Sequence, residues 1–142
     1  MSTKKETTKS LKVKCWRAFS IYIRLRDCLK TYSTEQGFCC SCGKRVAYKK
    51  GHAGHFLSGR HNAILFEETC CHLQCIHCNT YLQGNGAGYY KFMLREYGQK
   101  EIDRLMRLDK TTRLWKSGEL KEMTKEFKNK TVALRASENL PF

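Results

Sequence analysis

A chain of 142 residues with 27 Lys and Arg against 13 Asp and Glu carries a formal net charge of +14, which favours one domain with a polyanionic partner, nucleic acid first. Hydrophobic residues reach 41%, but 9 of the residues so counted are cysteines, so a metal clamp is expected to offset a small apolar core. The Ser/Thr/Lys-rich start lacks the apolar run of a secretory leader and no stretch is apolar enough to span a bilayer, which argues against a secreted disulfide scaffold or a membrane protein and for the reducing cytoplasm.

In chain order, residues 1–9 are polar and basic without periodicity and read as a flexible arm. From Ser10, the expected N-cap, the residues Leu11, Cys15, Phe19 and Tyr22 recur at helical spacing with Trp16 and Ile23 beside them, predicting an amphipathic helix to about Lys30. The Trp16, Phe19 and Ile23 stripe reads as core packing. Residues 1–30 hold nine basic and two acidic side chains. The cationic positions Lys12, Lys14, Arg17, Arg24 and Arg26 are therefore the expected phosphate-binding side of the helix.

Gly37 opens a first knuckle, Cys39-Cys40-Ser41-Cys42-Gly43-Lys44. Residues 45–50 read as a short strand, Gly51 as a turn and 52–57 as the returning strand, which puts His55 on a hairpin. Residues 58–69 have no clear period and either present Arg60 to a phosphate or form a plain surface loop. Residues 70–79 bring a second knuckle, followed by a helix start at 80–82 that Gly84, Gly86 and Gly88 interrupt. From Tyr89 onward the pattern is helical. Tyr90, Met93, Leu94 and Tyr97 share a face, Gly98 stops that helix, and a second helix carries Ile102, Leu105, Met106 and Leu108. One or two more carry Leu114 to Val132. The organisation expected is an arm (1–9), a zinc-stabilised core with its leading helix (10–98) and a helical extension (99–142).

The strongest motif is C-x2-C-x32-C-x2-C, made by Cys39, Cys42, Cys75 and Cys78. Four thiolates satisfy tetrahedral Zn²⁺ and leave no open position, so this zinc is structural. Cys40 and Cys71 are the alternative thiol ligands, and His72 and His77 the competing histidines. Cys15 and Cys28 read as buried small hydrophobes. A closed zinc site does no hydrolysis, so chemistry must fall to another group. His55 follows Gly54 on a segment anchored at both ends by the cysteines, and neutral imidazole is the usual general base near neutral pH.

The run Tyr22-Ile-Arg-Leu-Arg-Asp27, Cys39-x2-Cys42-Gly-Lys, Ala53-Gly-His-Phe56, His72-x-Gln-Cys-x2-Cys-Asn79 and Gly84-Asn85 resembles the NinG/Rap recombination endonucleases of lambdoid phages. These belong to the HNH, or His-Me finger, superfamily. The resemblance covers Tyr22 to about Gly98, and its layout is similar to that of the endonuclease VII type of phage junction resolvase. It implies an α+β fold with a zinc-stapled ββα-metal core, a leading helix and a C-terminal helical extension. It also implies that His55 deprotonates a water for attack on a phosphodiester, and that Asn79 is the final ligand of a catalytic Mg²⁺ or Mn²⁺; His52 is the candidate for the ligand that Gly54 lacks. Arg60 and the basic helix would hold the DNA backbone.

Two positions depart from that pattern. Gly54 stands where a metal-binding Asp often precedes the base, and Cys70 stands where an orienting Asn is usual. The function implied is a structure-selective endonuclease on branched recombination intermediates, Holliday junctions or D-loops, in the host cytoplasm of a phage and with a homodimer suited to cutting two strands. The competing readings are a non-catalytic zinc-containing nucleic-acid-binding protein and a zinc-stabilised protein-interaction adaptor.

Overall fold

The computed structural model describes residues 5–138. The first helix, α1 (Thr8–Thr31), starts three residues earlier than an N-cap at Ser10 implies, because Thr7 is the N-cap. The Thr7 hydroxyl accepts from the Ser10 amide at 3.1 Å, and the Ser10 hydroxyl donates back to the Thr7 carbonyl at 2.9 Å. The expected arm thus loses Thr8 and Lys9 to the helix, and its residues 1–4 lie outside the described part. Leu11, Cys15, Ala18, Phe19 and Ile23 form the buried stripe of α1. They pack against Leu120 and Phe127 of the last helix, α4 (Ser117–Glu138), with the Phe19 and Phe127 rings 4.9 Å apart. Burial of such side chains stabilises by about 1.5–3 kcal/mol each.

After α1 come two small antiparallel sheets. Strand β1 (Gln36–Phe38) pairs with β2 (Arg45–Ala47), and the turn between them is the first knuckle itself, with Gly43 at φ +75°. Strand β3 (His52–His55) pairs with β4 (Cys71–Gln74) in the register His52 to Gln74, Ala53 to Leu73, Gly54 to His72 and His55 to Cys71. The hairpin expected between residues 45–50 and 52–57 is therefore not formed. The ladder of β2 is taken by β1, and a 3₁₀ turn at Tyr48–Lys50 carries the chain away before β3 begins. The strand carrying His55 instead pairs with the fully buried strand that enters the second knuckle.

A single π-helical turn, His77–Tyr81, begins inside the second knuckle and carries Cys78, earlier than the helix start expected at 80–82. Helix α2 (Gly86–Glu96) begins inside the glycine-rich stretch, capped by left-handed Asn85, whose side chain accepts from the Gly88 amide. Helix α3 (Gln99–Asp109) follows, and Ile102 and Leu105 join Ile64, Cys70, Tyr89 and Met93 in a second apolar cluster. A third cluster joins Cys28, Val46 and Leu73 to the knuckle cysteines Cys39, Cys75 and Cys78. No break in packing marks residue 98, since α3 and α4 each contribute to a cluster that also holds residues from 10–98. Among the described residues no helix is long and apolar enough to cross a membrane.

Candidate active site

The two knuckles bring Cys39, Cys42, Cys75 and Cys78 together with all four sulfurs within 4.8 Å of one another. Cys42 and Cys75 sulfurs lie 3.8 Å apart. Zn–S bonds of about 2.3 Å in a tetrahedron require a sulfur–sulfur edge of about 3.8 Å, so the cluster fits zinc. The Cys78 amide donates to the Cys75 sulfur and the Asn85 side-chain amide to the Cys78 sulfur, both at 3.4 Å, which favours thiolates. Cys40 and Cys71 stay outside this group; burial pushes both thiols up in pKa. His77 is exposed, and His72 is buried in a hydrogen-bonded chain of its own.

His55 ends β3 and lines a cavity of about 700 Å³ with Arg60, Asn79, Thr80 and Gln83. Its Nε2 lies 3.0 Å from the Leu65 carbonyl. A carbonyl only accepts, so this nitrogen carries the proton and Nδ1 keeps its lone pair. The carbonyl also supplies the orienting partner that Cys70 cannot: the Cys70 thiol is fully buried, and burial pushes it up to about 11. Burial pulls the His55 pKa below its ordinary value, the Arg60 charge acts in the same direction, and the Leu65 carbonyl opposes both. The imidazole is consequently neutral at pH 7.

Trp16 is more than a core residue. Its ring stacks on His55, with centroids 5.2 Å apart and planes 24° apart, and the Arg60 guanidinium lies 4.2 Å from the Trp16 ring centroid. One aromatic side chain thus supports both the imidazole and the cation beside it, a contact worth about 0.5–2 kcal/mol for the cation. Arg60 takes a left-handed backbone, φ +48°.

Behind β3 runs a buried chain. The Tyr89 hydroxyl donates to the Gly54 carbonyl at 2.7 Å, His72 Nδ1 donates to the Tyr89 oxygen at 3.0 Å, and the Tyr97 hydroxyl donates to His72 Nε2 at 2.7 Å. Burial holds His72 well below the ordinary imidazole range, which keeps it neutral and able to accept from Tyr97. The chain fixes the peptide immediately before His55.

Asn79, in the π-helical turn, does come together with His52: its Nδ2 donates to His52 Nδ1 at 2.8 Å. His52 Nδ1 is therefore engaged by an amide donor, and the contact turns the Asn79 oxygen away from His52. Gln74 stands beside them, fully buried, with Nε2 donating to Ser41 Oγ and to the Gly84 carbonyl. Its Oε1 has no hydrogen-bond partner among the described residues, an arrangement that costs about 1–3 kcal/mol when nothing fills it. The amide oxygens of Asn79 and Gln74 suit a hard divalent cation, and no acidic side chain among the described residues lines the cavity.

The basic helix divides into two groups. Arg17 and Lys14 are exposed and line a depression against α4 with Lys128, Lys14 also pairing with Glu6. Lys12 precedes Trp16 by one helical turn and shares its side of α1. Arg24 and Arg26 are committed inside the fold, against the expectation for them. Arg26 donates to Asp27, to the Glu68 carbonyl and to the Cys71 carbonyl. Arg24 donates to the Tyr48 carbonyl and stacks over the Tyr48 ring. Helical spacing gives their direction from the axis but not the β-segments waiting there.

In the sequence Trp16 stands out only as core packing and Gln74 only as part of the second knuckle motif, while Tyr89 and the Leu65 carbonyl are not marked as site groups at all. Only Gln74 left a readable signal, lying between His72 and the third knuckle cysteine. In the comparison with protein families, the family described as Bacteriophage Lambda NinG protein matches residues 2–138. Neither curated proteins nor solved structures gave a match.

Proposed function

Because the chain belongs to the NinG family of phage recombination-related proteins, we propose that it is a metal-dependent endodeoxyribonuclease of the HNH type, cutting branched recombination intermediates. The observation that carries this reading is His55: a neutral imidazole with Nε2–H bound to the Leu65 carbonyl and Nδ1 free to accept a proton, at the wall of a cavity that also holds Asn79 and Arg60. The order β3, β4, π-helical turn, with the base on the first strand and Asn79 on the turn, is compatible with a ββα-metal core.

In this mechanism His55 Nδ1 takes a proton from water as the water oxygen attacks phosphorus, and the bond from phosphorus to the leaving sugar oxygen breaks. A bound Mg²⁺ or Mn²⁺ supplies stabilisation of charge on the phosphate and leaving oxygen. The Leu65 carbonyl keeps the imidazole in the productive tautomer, and Trp16 covers its ring and keeps it partly dry. Arg60, propped on Trp16, binds a non-bridging phosphate oxygen. Lys12 and Arg17 add backbone contacts, and a homodimer would present two such cavities to a junction. The four thiolates take no part in the chemistry and hold the strands that carry His55 and Asn79.

The absence of an acid from the lining favours one competitor, a zinc-containing protein that binds nucleic acid without cutting it. Incubating the purified protein with a four-way junction and with a matched linear duplex, in Mg²⁺, Mn²⁺ or EDTA, separates the two. Junction cleavage that needs the divalent ion is expected. Binding without cleavage in every metal would reject the endonuclease.

A further inference from the structure

Gln74 lies opposite His52 in the β3–β4 pair, and His52 and Gly54 are two residues apart on one strand, so all three share a face. The Gln74 side chain runs diagonally over Gly54. A Cβ at residue 54 would stand 1.8 Å from Gln74 Oε1 and 3.0 Å from Asn79 Oδ1. One amide oxygen thus fills the room that a side chain at position 54 would need, and a second is beside it. Both orientations are set by their neighbours. The Gly84 carbonyl only accepts, so the Gln74 atom facing it at 2.9 Å is Nε2, which leaves Oε1 over Gly54. Asn79 gives its Nδ2 to His52. Gln74 is 0% exposed, and its Oε1 is without a partner among the described residues.

Resting on the endonuclease reading above, we infer that Gln74 is a ligand of the divalent cation, its Oε1 acting with Asn79 Oδ1 and replacing the carboxylate that position 54 lacks. Hard cations accept amide oxygens as readily as they accept backbone carbonyls. Neither oxygen is charged, so the phosphate of bound DNA supplies the negative charge and the cation loads with DNA rather than before it. His52 is then a positioning residue, holding the Asn79 amide so that its oxygen faces Gln74. The sequence offers His52 for the ligand that Gly54 lacks; the geometry moves it to the residue opposite, Gln74.

The test measures Mn²⁺ binding and not turnover. Zinc-loaded His55→Ala protein is mixed with a four-way junction, and free Mn²⁺ is counted by electron paramagnetic resonance. Adding Gln74→Ala should weaken Mn²⁺ binding by about tenfold or more while zinc is retained. Adding Gly54→Asp to that variant should restore it, because the carboxylate enters the space the amide vacated. Unchanged Mn²⁺ affinity in Gln74→Ala overturns the assignment. Should Gln74→Ala lose its zinc, anomalous scattering from Mn²⁺-soaked crystals of the His55→Ala complex decides: a peak at coordination distance from Gln74 Oε1 supports the assignment, and a peak on Asn79 alone, or none, overturns it. Junction cutting by the unaltered protein is scored separately. Cutting with Gln74 indifferent to Mn²⁺ sinks only the ligand assignment, whereas Mn²⁺ held by Gln74 without cutting sinks only the endonuclease.

Discussion

The cysteine tetrad and the His55 cavity adjoin the same pair of strands and are built on opposite principles. The tetrad gathers four soft ligands, three of them buried, close enough together to hold one cation with no position left open. The cavity is lined by the His55 imidazole, the Asn79 amide and Arg60, with the buried Gln74 amide beside Asn79 over Gly54. A closed charged site stores folding energy, because its ligands converge only in the native chain. An open site of neutral ligands binds a cation weakly until a phosphate arrives, which is what the proposed endonuclease would require.

Breaking the tetrad should have the largest effect. Cys78→Ala, or chelation of zinc, should abolish the cooperative melt, since structural zinc sites supply on the order of 10 kcal/mol; zinc content and thermal denaturation followed by circular dichroism measure it. Next comes the contrast within α1. Arg26→Ala should destabilise by about 3 kcal/mol through the stranded Asp27 carboxylate, which also accepts from the Leu73 amide at 2.9 Å. Arg17→Ala should leave urea denaturation unchanged and lower the salt dependence of junction binding.

On the side of the cavity, Tyr89→Phe should cost about 1–2 kcal/mol in urea denaturation and lower cleavage, because the Gly54 carbonyl and His72 both lose a partner. Trp16→Ala should shift the acid limb of the cleavage profile upward, since removing the indole returns the imidazole toward its ordinary value of 6.5. The smallest effect is on stability against pH. His55 and His72 are both held neutral by burial, so the unfolded chain takes up protons that the folded chain refuses. Their contribution is full above about pH 6.5 and is lost as pH falls through the folded values. Denaturation midpoints that rise on acidification from pH 7 to pH 5 would contradict this sign.

Signals carried within a few residues were legible in the sequence: the stripe of α1, the two knuckles, Gly98 ending α2, and His55 marked out by its place between the cysteines. What escaped depends on contacts between distant segments. β3 pairs with a strand about 20 residues on, across an aperiodic loop, so nothing local separates that partner from β2. Arg26 and Arg17 both occupy cationic positions of one helix, and only the placement of Glu68 and Cys71 makes the first internal. Gly54 looked like a missing ligand, and its meaning appears only with Gln74 lying over it.

The separation of staple from chemistry is tested most directly by His55→Ala, assayed for zinc content, melting temperature and junction cleavage in the same preparation. The account predicts zinc and melting temperature like those of the unaltered protein, with cleavage reduced by about 10²–10⁴. Loss of zinc or of the folded state in that variant, or cleavage that persists at the original rate, would contradict it.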